Sequence, residues 1–252
     1  MAIPKALRQE VRQLKRRSER WNARKIMVEG EKCIRELCKS SWDVERIYFT
    51  PTWEDSEFWN SPEISGEIER CETGAKDMEI MSALKTPPGL LAVAHFPEAF
   101  DLPSTPAGTV LYLDELTDPG NVGTLIRVAD WFGLAGVVLS PGSADPLGPK
   151  ALQSSMGSTF HVPTLIQSLE DLPSAYKTHV VGLDAGGSDL FSGSVAQPSL
   201  LVVGSESHGL SKNVVEACHA IASIPGAGRA ESLNASVAGA VAVASFIQQA
   251  VS

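Results

Sequence analysis

Three segments rich in glycine and small polar residues follow strand-like runs in the C-terminal half of the chain. They span residues 118–123 (DPGNVG), 204–211 (GSESHGLS) and 224–236 (IPGAGRAESLNAS). Glycine lets a backbone approach a bound ligand closely. In open parallel α/β sheets, ligands bind in loops at the carboxyl ends of strands. The pattern therefore predicts a binding cleft built from loops that lie far apart in the sequence.

Each loop taken alone also has a simpler structural explanation. Asn121 suits the N-cap of a helix over residues 121–132, and Ser232 and Asn234 suit the cap of the long helix that follows them. Arg127 lies six residues after Asn121, which is about 240° around a helix and about 9 Å along it. Spacing alone therefore does not bring Arg127 and Asn121 into one site.

Several common chemistries fit the residues poorly. Glu206 stands where a nucleophile elbow needs serine. Gly226 and Gly228 begin a G-x-G pattern, but Glu231 replaces its third glycine, which argues against a nicotinamide-dependent oxidoreductase. The four cysteines include no C-x-x-C pair, so we expect reduced thiols and no metal site.

The elements that must position these loops alternate between short apolar strands and helices. Such alternation favours a mostly parallel sheet with helices on both faces. The predicted strands cover residues 109–113, 136–139, 179–183, 200–203 and 221–224, and the predicted helices cover residues 121–132, 149–156, 214–218 and 235–250.

The N-terminal half reads as a separate, smaller α/β domain. Residues 1–40 are predicted to be largely helical, with an interruption at residues 26–30, and residues 44–49 and 90–95 are predicted strands. The proline-containing segment 100–108 is the predicted linker. The sequence thus predicts an N-terminal domain over residues 1–100 and a C-terminal domain over residues 108–252.

Charge is distributed unevenly along the chain. Residues 1–25 contain nine Lys and Arg side chains and two Glu, a net charge of +7, whereas the whole chain carries −9, which leaves −16 for the remainder. A basic block on an acidic body suits contact with nucleic-acid phosphates. A solvated charged helix face explains the block equally well. Without an apolar run of about 18 residues we expect no membrane span and a cytoplasmic location.

The three loops and their flanks resemble the SpoU/TrmH family of knotted (SPOUT) RNA 2′-O-ribose methyltransferases. The matching signatures are DELTDPGNVGTLIRVADWFG (114–133), LVVGSESHGLS (201–211) and IPGAGRAESLNASVAGAVAV (224–243). The segments MVEG (27–30) and TPPGLLAV (86–93) resemble the small ribosomal-protein-like RNA-binding domain that is often fused to these enzymes.

This resemblance implies a deep trefoil knot near the C-terminus and a homodimer with each active site near the subunit interface. It implies S-adenosylmethionine as the cofactor, RNA as the substrate and no metal. Arg127 is the implied central catalytic residue, helped by Asn121, Glu206, Ser232 and Asn234. The implied cofactor pocket consists of Leu183, Gly204, Glu206, Ile224, Ser232 and Leu233.

A guanidinium stays protonated at neutral pH, so we expect Arg127 to bind a phosphate and stabilise developing charge rather than act as a base. The N-terminal domain favours ribosomal RNA as the substrate by family analogy. Transfer RNA, a non-catalytic RNA-binding role and the nicotinamide-dependent oxidoreductase remain the alternatives at this point.

Overall fold

The structure is a computed structural model that describes residues 3–64, 68–98 and 108–251. Within these residues the chain divides into two compact units. The first contains the described residues of Met1–Ala99 together with Leu147–His161, and the second contains those of Phe100–Pro146 and Val162–Ser252. The predicted linker at residues 100–108 lies, except for Gly108, outside the described residues.

The first unit is built on a four-stranded mixed sheet. The elements of this unit are α1 (Lys5–Gln13), α2 (Arg17–Ala23), β1 (Lys25–Glu29), α3 (Glu31–Lys39), β2 (Asp43–Phe49), β3 (Glu69–Glu72), α4 (Ala75–Met81) and β4 (Leu90–His95). The strand order is β1-β4-β2-β3, with β4 antiparallel to both neighbours and β2 parallel to β3.

Alternation along the strands sends side chains to both faces of this sheet. On one face, Met27, Tyr48, Leu91 and Val93 form a buried cluster with apolar residues of α1 and α4. Helix α3 contributes nothing to that cluster yet contacts β1 and β4. Helix α3 therefore packs on the opposite face from α1 and α4.

The predicted interruption of the N-terminal helices is itself a strand. Strand β1 pairs with β4 from Lys25 opposite His95 to Glu29 opposite Leu91. Local pattern could not reveal this pairing because its partner lies about 65 residues along the chain. Strand β3 and helix α4 were also not predicted. Strand β3 is short and polar (ERCE), so it lacks the apolar pattern of a buried strand.

The second unit contains the larger sheet. Its elements are β5 (Val110–Leu113), α5 (Pro119–Trp131), β6 (Gly136–Leu139), β7 (Thr164–Ile166), β8 (Val180–Asp189), β9 (Leu200–Val203), α7 (Lys212–Ala217), β10 (Ala220–Ser223) and α8 (Ala235–Val251). Helix α6 (Pro149–Ser155) lies between β6 and β7 in sequence but belongs to the first unit.

All pairings in this sheet are parallel, in the order β10-β8-β9-β5-β6-β7. Val214 of α7 packs with Tyr112 and Val202 on one face. On the other face, a Cβ built at Gly239 of α8 would lie 3.2 Å from Val203, the neighbour of Val202. Helices therefore cover both faces, which confirms the predicted parallel α/β class.

The strand ends that carry the predicted loops lie side by side. Leu113 of β5 pairs with Val203 of β9, and Val203 pairs with Leu183 of β8. Strand β8 runs six residues beyond its predicted end, and its pairing with β10 is shifted after Ile221. A Cβ at Gly187 would come within 2.6 Å of the Ile221 backbone, so this close strand approach needs glycine.

Candidate active site

A cavity of about 610 Å³ opens in the second unit where β8, β9 and β10 end. Its walls come from the two predicted loops at residues 204–211 and 224–236 and from the middle of β8. All six residues of the predicted cofactor pocket line it, namely Leu183, Gly204, Glu206, Ile224, Ser232 and Leu233. Sequence reasoning missed further lining residues, among them Asp184, Ala185 and Pro225.

The loop after β9 folds tightly back on itself. Ser205 and Gly209 exchange backbone hydrogen bonds of 3.0 Å in both directions, and Gly209 has a φ of 67°. A Cβ at Gly204 would lie 2.3 Å from the carbonyl oxygen of Gly209. No side chain fits in that space, so Gly204 permits the turn that shapes one wall of the cavity.

A buried carboxylate at the end of β5 holds the far end of the same loop. Asp114 is buried, and its Oδ2 accepts a hydrogen bond from the Ser211 backbone at 2.7 Å. Hydrogen bonds to a charged acceptor are among the stronger ones in proteins. Sequence reasoning did not single out Asp114, although a carboxylate directly after an apolar strand is a signal that could have found it.

Glu206 connects the first loop with the third. Its Oε1 accepts from Asn121 Nδ2 at 3.0 Å, from the Ala235 backbone at 3.3 Å, and from Asn234 Nδ2. Asn234 Nδ2 also donates to Asn121 Oδ1 at 3.0 Å. Three of the five predicted catalytic residues therefore form one hydrogen-bonded cluster beside the cavity, although they lie as far as 113 residues apart in sequence.

The predicted capping roles are partly wrong. Asp118 caps α5, because its Oδ1 accepts from the Gly120 backbone at 2.6 Å, whereas Asn121 lies within the helix and turns its side chain to Glu206. Asn234 does cap α8, accepting from the Ser236 and Val237 backbones at 3.0 and 3.3 Å. Ser232 lies three residues before α8 and lines the cavity instead.

Arg127 stands apart from this cluster. Its side chain is exposed on α5 and is not part of the cavity wall. It lies about 9 Å further along the helix than Asn121, as the helical geometry requires. Within the second unit, the structure brings together the predicted pocket and the cluster of Asn121, Glu206 and Asn234, but not Arg127.

The cavity has an acidic and otherwise weakly polar lining. Asp184, Glu206 and Glu231 are its charged residues, and no Lys or Arg lines it. Cys218 is not among the lining residues, and burial raises the pKa of its thiol to about 11, which keeps the thiol neutral. Such a cavity suits a ligand that combines apolar groups with positive charge.

Three further findings concern the described residues as a whole. They contain no group of three or more His, Cys, Asp or Glu side chains arranged to hold a metal ion. None of their helices is both long enough and apolar enough to cross a bilayer. All four cysteines are free thiols.

Two family models match this chain. The model of the SpoU rRNA Methylase family matches residues 108–244, and the MRM3-like substrate binding domain matches residues 8–92. The 23S rRNA (guanosine(2553)-2′-O)-methyltransferase RlmP of Bacillus subtilis is 32% identical, over 96% of this chain and 97% of its own length. The 23S rRNA (uridine(2479)-2′-O)-methyltransferase of Streptomyces viridochromogenes is 31% identical, over 94% and 87% respectively.

Solved structures agree over nearly the whole chain. The SpoU methyltransferase AviRb from Streptomyces viridochromogenes, in complex with the cofactor AdoMet, superimposes with a TM-score of 0.88 at 28% identity and covers 99% of each chain. An AdoMet-bound rRNA methyltransferase from Sinorhizobium meliloti superimposes with a TM-score of 0.83 at 25% identity, covering 100% of this chain and 98% of its own. The family match and the relatives that align over nearly the whole chain establish that this chain belongs to the SpoU rRNA methylase family.

Proposed function

We propose that this protein transfers a methyl group from S-adenosylmethionine to a ribose 2′-hydroxyl of ribosomal RNA. The observation that carries the proposal is the cavity of the second unit at the ends of β8, β9 and β10. Its two Gly-rich loops contain five of the six predicted cofactor residues, with Leu183 on β8 as the sixth, and the Asn121–Glu206–Asn234 cluster lies at its side. Relatives named as 23S rRNA 2′-O-methyltransferases support ribosomal RNA as the substrate class.

The residues present fit the cofactor. A cavity of about 610 Å³ is within the range of about 300–1,000 Å³ that small-molecule sites occupy. Its three carboxylates and lack of cationic lining suit a positively charged sulfonium, and the glycine at position 204 leaves the backbone open to close approach. When bound there, S-adenosylmethionine supplies an electrophilic methyl group.

The protein's own contribution is chiefly positioning, which can account for a large part of the rate of a transfer between two bound reactants. We assign Leu183, Gly204, Ile224 and Leu233 to cofactor binding, and Glu206 and Ser232 to both cofactor binding and catalysis. Asn121 and Asn234 keep the Glu206 carboxylate in place through the hydrogen bonds described above.

Arg127 is the proposed catalytic cation. Its guanidinium has five N–H donors and matches a phosphate in a bidentate manner. We assign it to the phosphate next to the target ribose, where it fixes the nucleotide and stabilises negative charge as the hydroxyl loses its proton. Its exposure leaves it accessible to RNA.

The Arg127→Ala variant tests this assignment. We expect its single-turnover rate of methyl transfer to fall by about 10²–10³-fold, the usual effect of losing one charge-stabilising donor, while S-adenosylmethionine affinity stays unchanged. Lys212→Ala, which removes an exposed cation on α7 of the same unit, is the matched control. A near-normal rate for Arg127→Ala would exclude Arg127 from catalysis.

The remaining parts of the proposal concern the domain bounds, the chain topology and the location of the protein. We infer a substrate-binding domain over residues 1–100, a methyltransferase domain over residues 108–252, and a deep trefoil knot formed by the C-terminal segment. The return of α8 from the edge strand β10 to pack on α5 and β9 supports the knot. An rRNA substrate suggests a cytoplasmic location.

We further infer a homodimer with the active site near its interface. Leu233, which lines the cavity just before α8, is 46% exposed, and Val237 in the first turn of α8 is 47% exposed. An apolar surface in that place suits a second copy of the chain. Sedimentation as a monomer at every concentration tested would contradict this.

A further inference from the structure

A second cavity, in the first unit, has four cations among its six lining residues. It measures about 440 Å³ and lies where α1 packs on α4. We call it the basic groove; its lining residues are Lys5, Arg8, Gln9, Arg12, Lys15 and Ile80. Lys5, Arg8 and Arg12 lie three and then four residues apart, so they share one face of α1. No carboxylate belongs to the lining.

Two of these cations are held in place by the protein. Arg8 forms an ion pair with Asp77 of α4, and Lys15 Nζ donates to the Ile80 carbonyl at 3.1 Å. Burial lowers the pKa of Lys15, and the neighbouring charge of Arg12 acts in the same direction, against the opposite effect of Glu29. Arg12 and Lys15 are thus close enough for their positive charges to repel each other.

The nearby carboxylates are already engaged. Glu29 accepts hydrogen bonds from the Ala83 backbone at 2.8 Å and from the Ser82 hydroxyl. Glu10 forms an ion pair with Lys25 at 2.8 Å. Within the part of the chain that the structure describes, the side chains of Lys5 and Arg12 are exposed and have no hydrogen-bond or ion-pair partner. The groove therefore has positive charge that the protein itself does not neutralise.

We propose that the basic groove binds the sugar-phosphate backbone of the RNA substrate. Seven residues separate Lys5 from Arg12, which is about 10 Å along α1. This exceeds the rise between neighbouring phosphates on one strand of a duplex, about 3.4 Å, so the groove can contact two or more successive phosphates. The inference rests on the proposed function and assigns its RNA contact to particular residues.

The double variant Lys5→Gln/Arg12→Gln tests the groove. Each phosphate contact releases counterions and contributes about 0.9 to the slope of log affinity against log salt concentration. Relative to 1 M salt, this corresponds to about fivefold in affinity at 0.15 M salt for each contact. We expect the variant to bind in-vitro-transcribed 23S rRNA about 30-fold more weakly in a filter-binding assay, with a salt slope smaller by about two. The KM for RNA should rise, while kcat at saturating RNA and the S-adenosylmethionine affinity should stay unchanged.

The matched control is Lys32→Gln/Lys39→Gln, which removes two charges from α3 on the opposite face of the same sheet. If the groove variant keeps wild-type RNA affinity and salt slope, or if the α3 variant loses as much affinity, the groove proposal is overturned. Methyl transfer by the wild-type protein is a separate readout. Its absence would refute the proposed function, whereas selective loss of RNA binding in the groove variant would still support the groove.

Discussion

Replacing Gly204 by alanine should disturb the proposed cofactor cavity from within the backbone. The added Cβ would lie 2.3 Å from the Gly209 carbonyl oxygen and 2.7 Å from the Leu210 nitrogen. Ordinary contact begins near 3.4 Å, so the shortfall against the oxygen is about 1.1 Å. All the atoms in conflict belong to the backbone, which cannot rotate away as a long side chain can.

This overlap determines how much free energy of unfolding the substitution costs. Overpacking of a well-packed site destabilises a protein by about 1–3 kcal/mol. For a protein of about this size, 1 kcal/mol lowers the melting temperature by roughly 2–4 °C, so we expect a decrease of about 2–12 °C. If the loop moves instead, the Ser205–Gly209 hydrogen bonds and the cavity wall move with it. Each tenfold loss of affinity corresponds to about 1.4 kcal/mol, and we expect S-adenosylmethionine to bind at least about tenfold more weakly.

Thermal unfolding without cofactor and calorimetric titration with S-adenosylmethionine measure the two effects. Gly226→Ala is the matched control for unfolding, because Gly226 lines the same cavity but a Cβ there meets nothing within 4 Å. Wild-type melting temperature together with wild-type cofactor affinity in Gly204→Ala would refute the argument that close backbone approach requires glycine here.

Two further predictions concern the helix cap and two partly buried thiols. Asn234→Ala should cost about 1–2 kcal/mol of stability, because α8 loses its N-cap. Asn234→Asp should retain the cap but lose methyl-transfer activity, because it places a second carboxylate beside Glu206. Chemical denaturation measures the first effect and a turnover assay the second, and equal stability of both variants would contradict the cap. Burial raises the pKa of both Cys38 and Cys218 to about 11, so the folded protein binds more protons than the unfolded chain between about pH 9 and pH 11, and stability should fall as pH rises through that window. Guanidinium unfolding at pH 8 and pH 10.5 measures this fall, which should be smaller in Cys38→Ala/Cys218→Ala; a wild-type unfolding midpoint unaffected by pH would count against it.

Much of the second unit could be predicted from local pattern. Short apolar runs such as residues 200–203 predict buried parallel strands, because such strands are covered on both faces and need no polar alternation. The Gly-rich loops at residues 204–211 and 224–236 could also be located from their composition, and in the first of them the close backbone approach at Gly204 requires glycine. The resemblance of the three signatures then indicated the pocket residues that the cavity contains.

Other features depended on partners distant in sequence. Strand β1 was hidden within a mostly helical segment because its pairing with β4 is non-local. Segment 147–161 was predicted as part of the C-terminal domain, whereas its contacts group it with the first unit. Asn121 looked like a helix cap because spacing alone does not show where an amide side chain points.

The sequence alone determined the fold class and the tight turn at Gly204, since these follow from hydrophobic periodicity and short-range sterics, and the family resemblance indicated the polar residues of the loops. Only the tertiary structure decided that Glu206 accepts hydrogen bonds from both Asn121 and Asn234, that Asp114 holds the loop at Ser211, and that four cations of the first unit share one groove. The physical reason is that hydrogen bonds and charge interactions act over a few ångströms in space, and parallel pairing of β5, β9 and β8 is what brings residues more than 80 positions apart within that range.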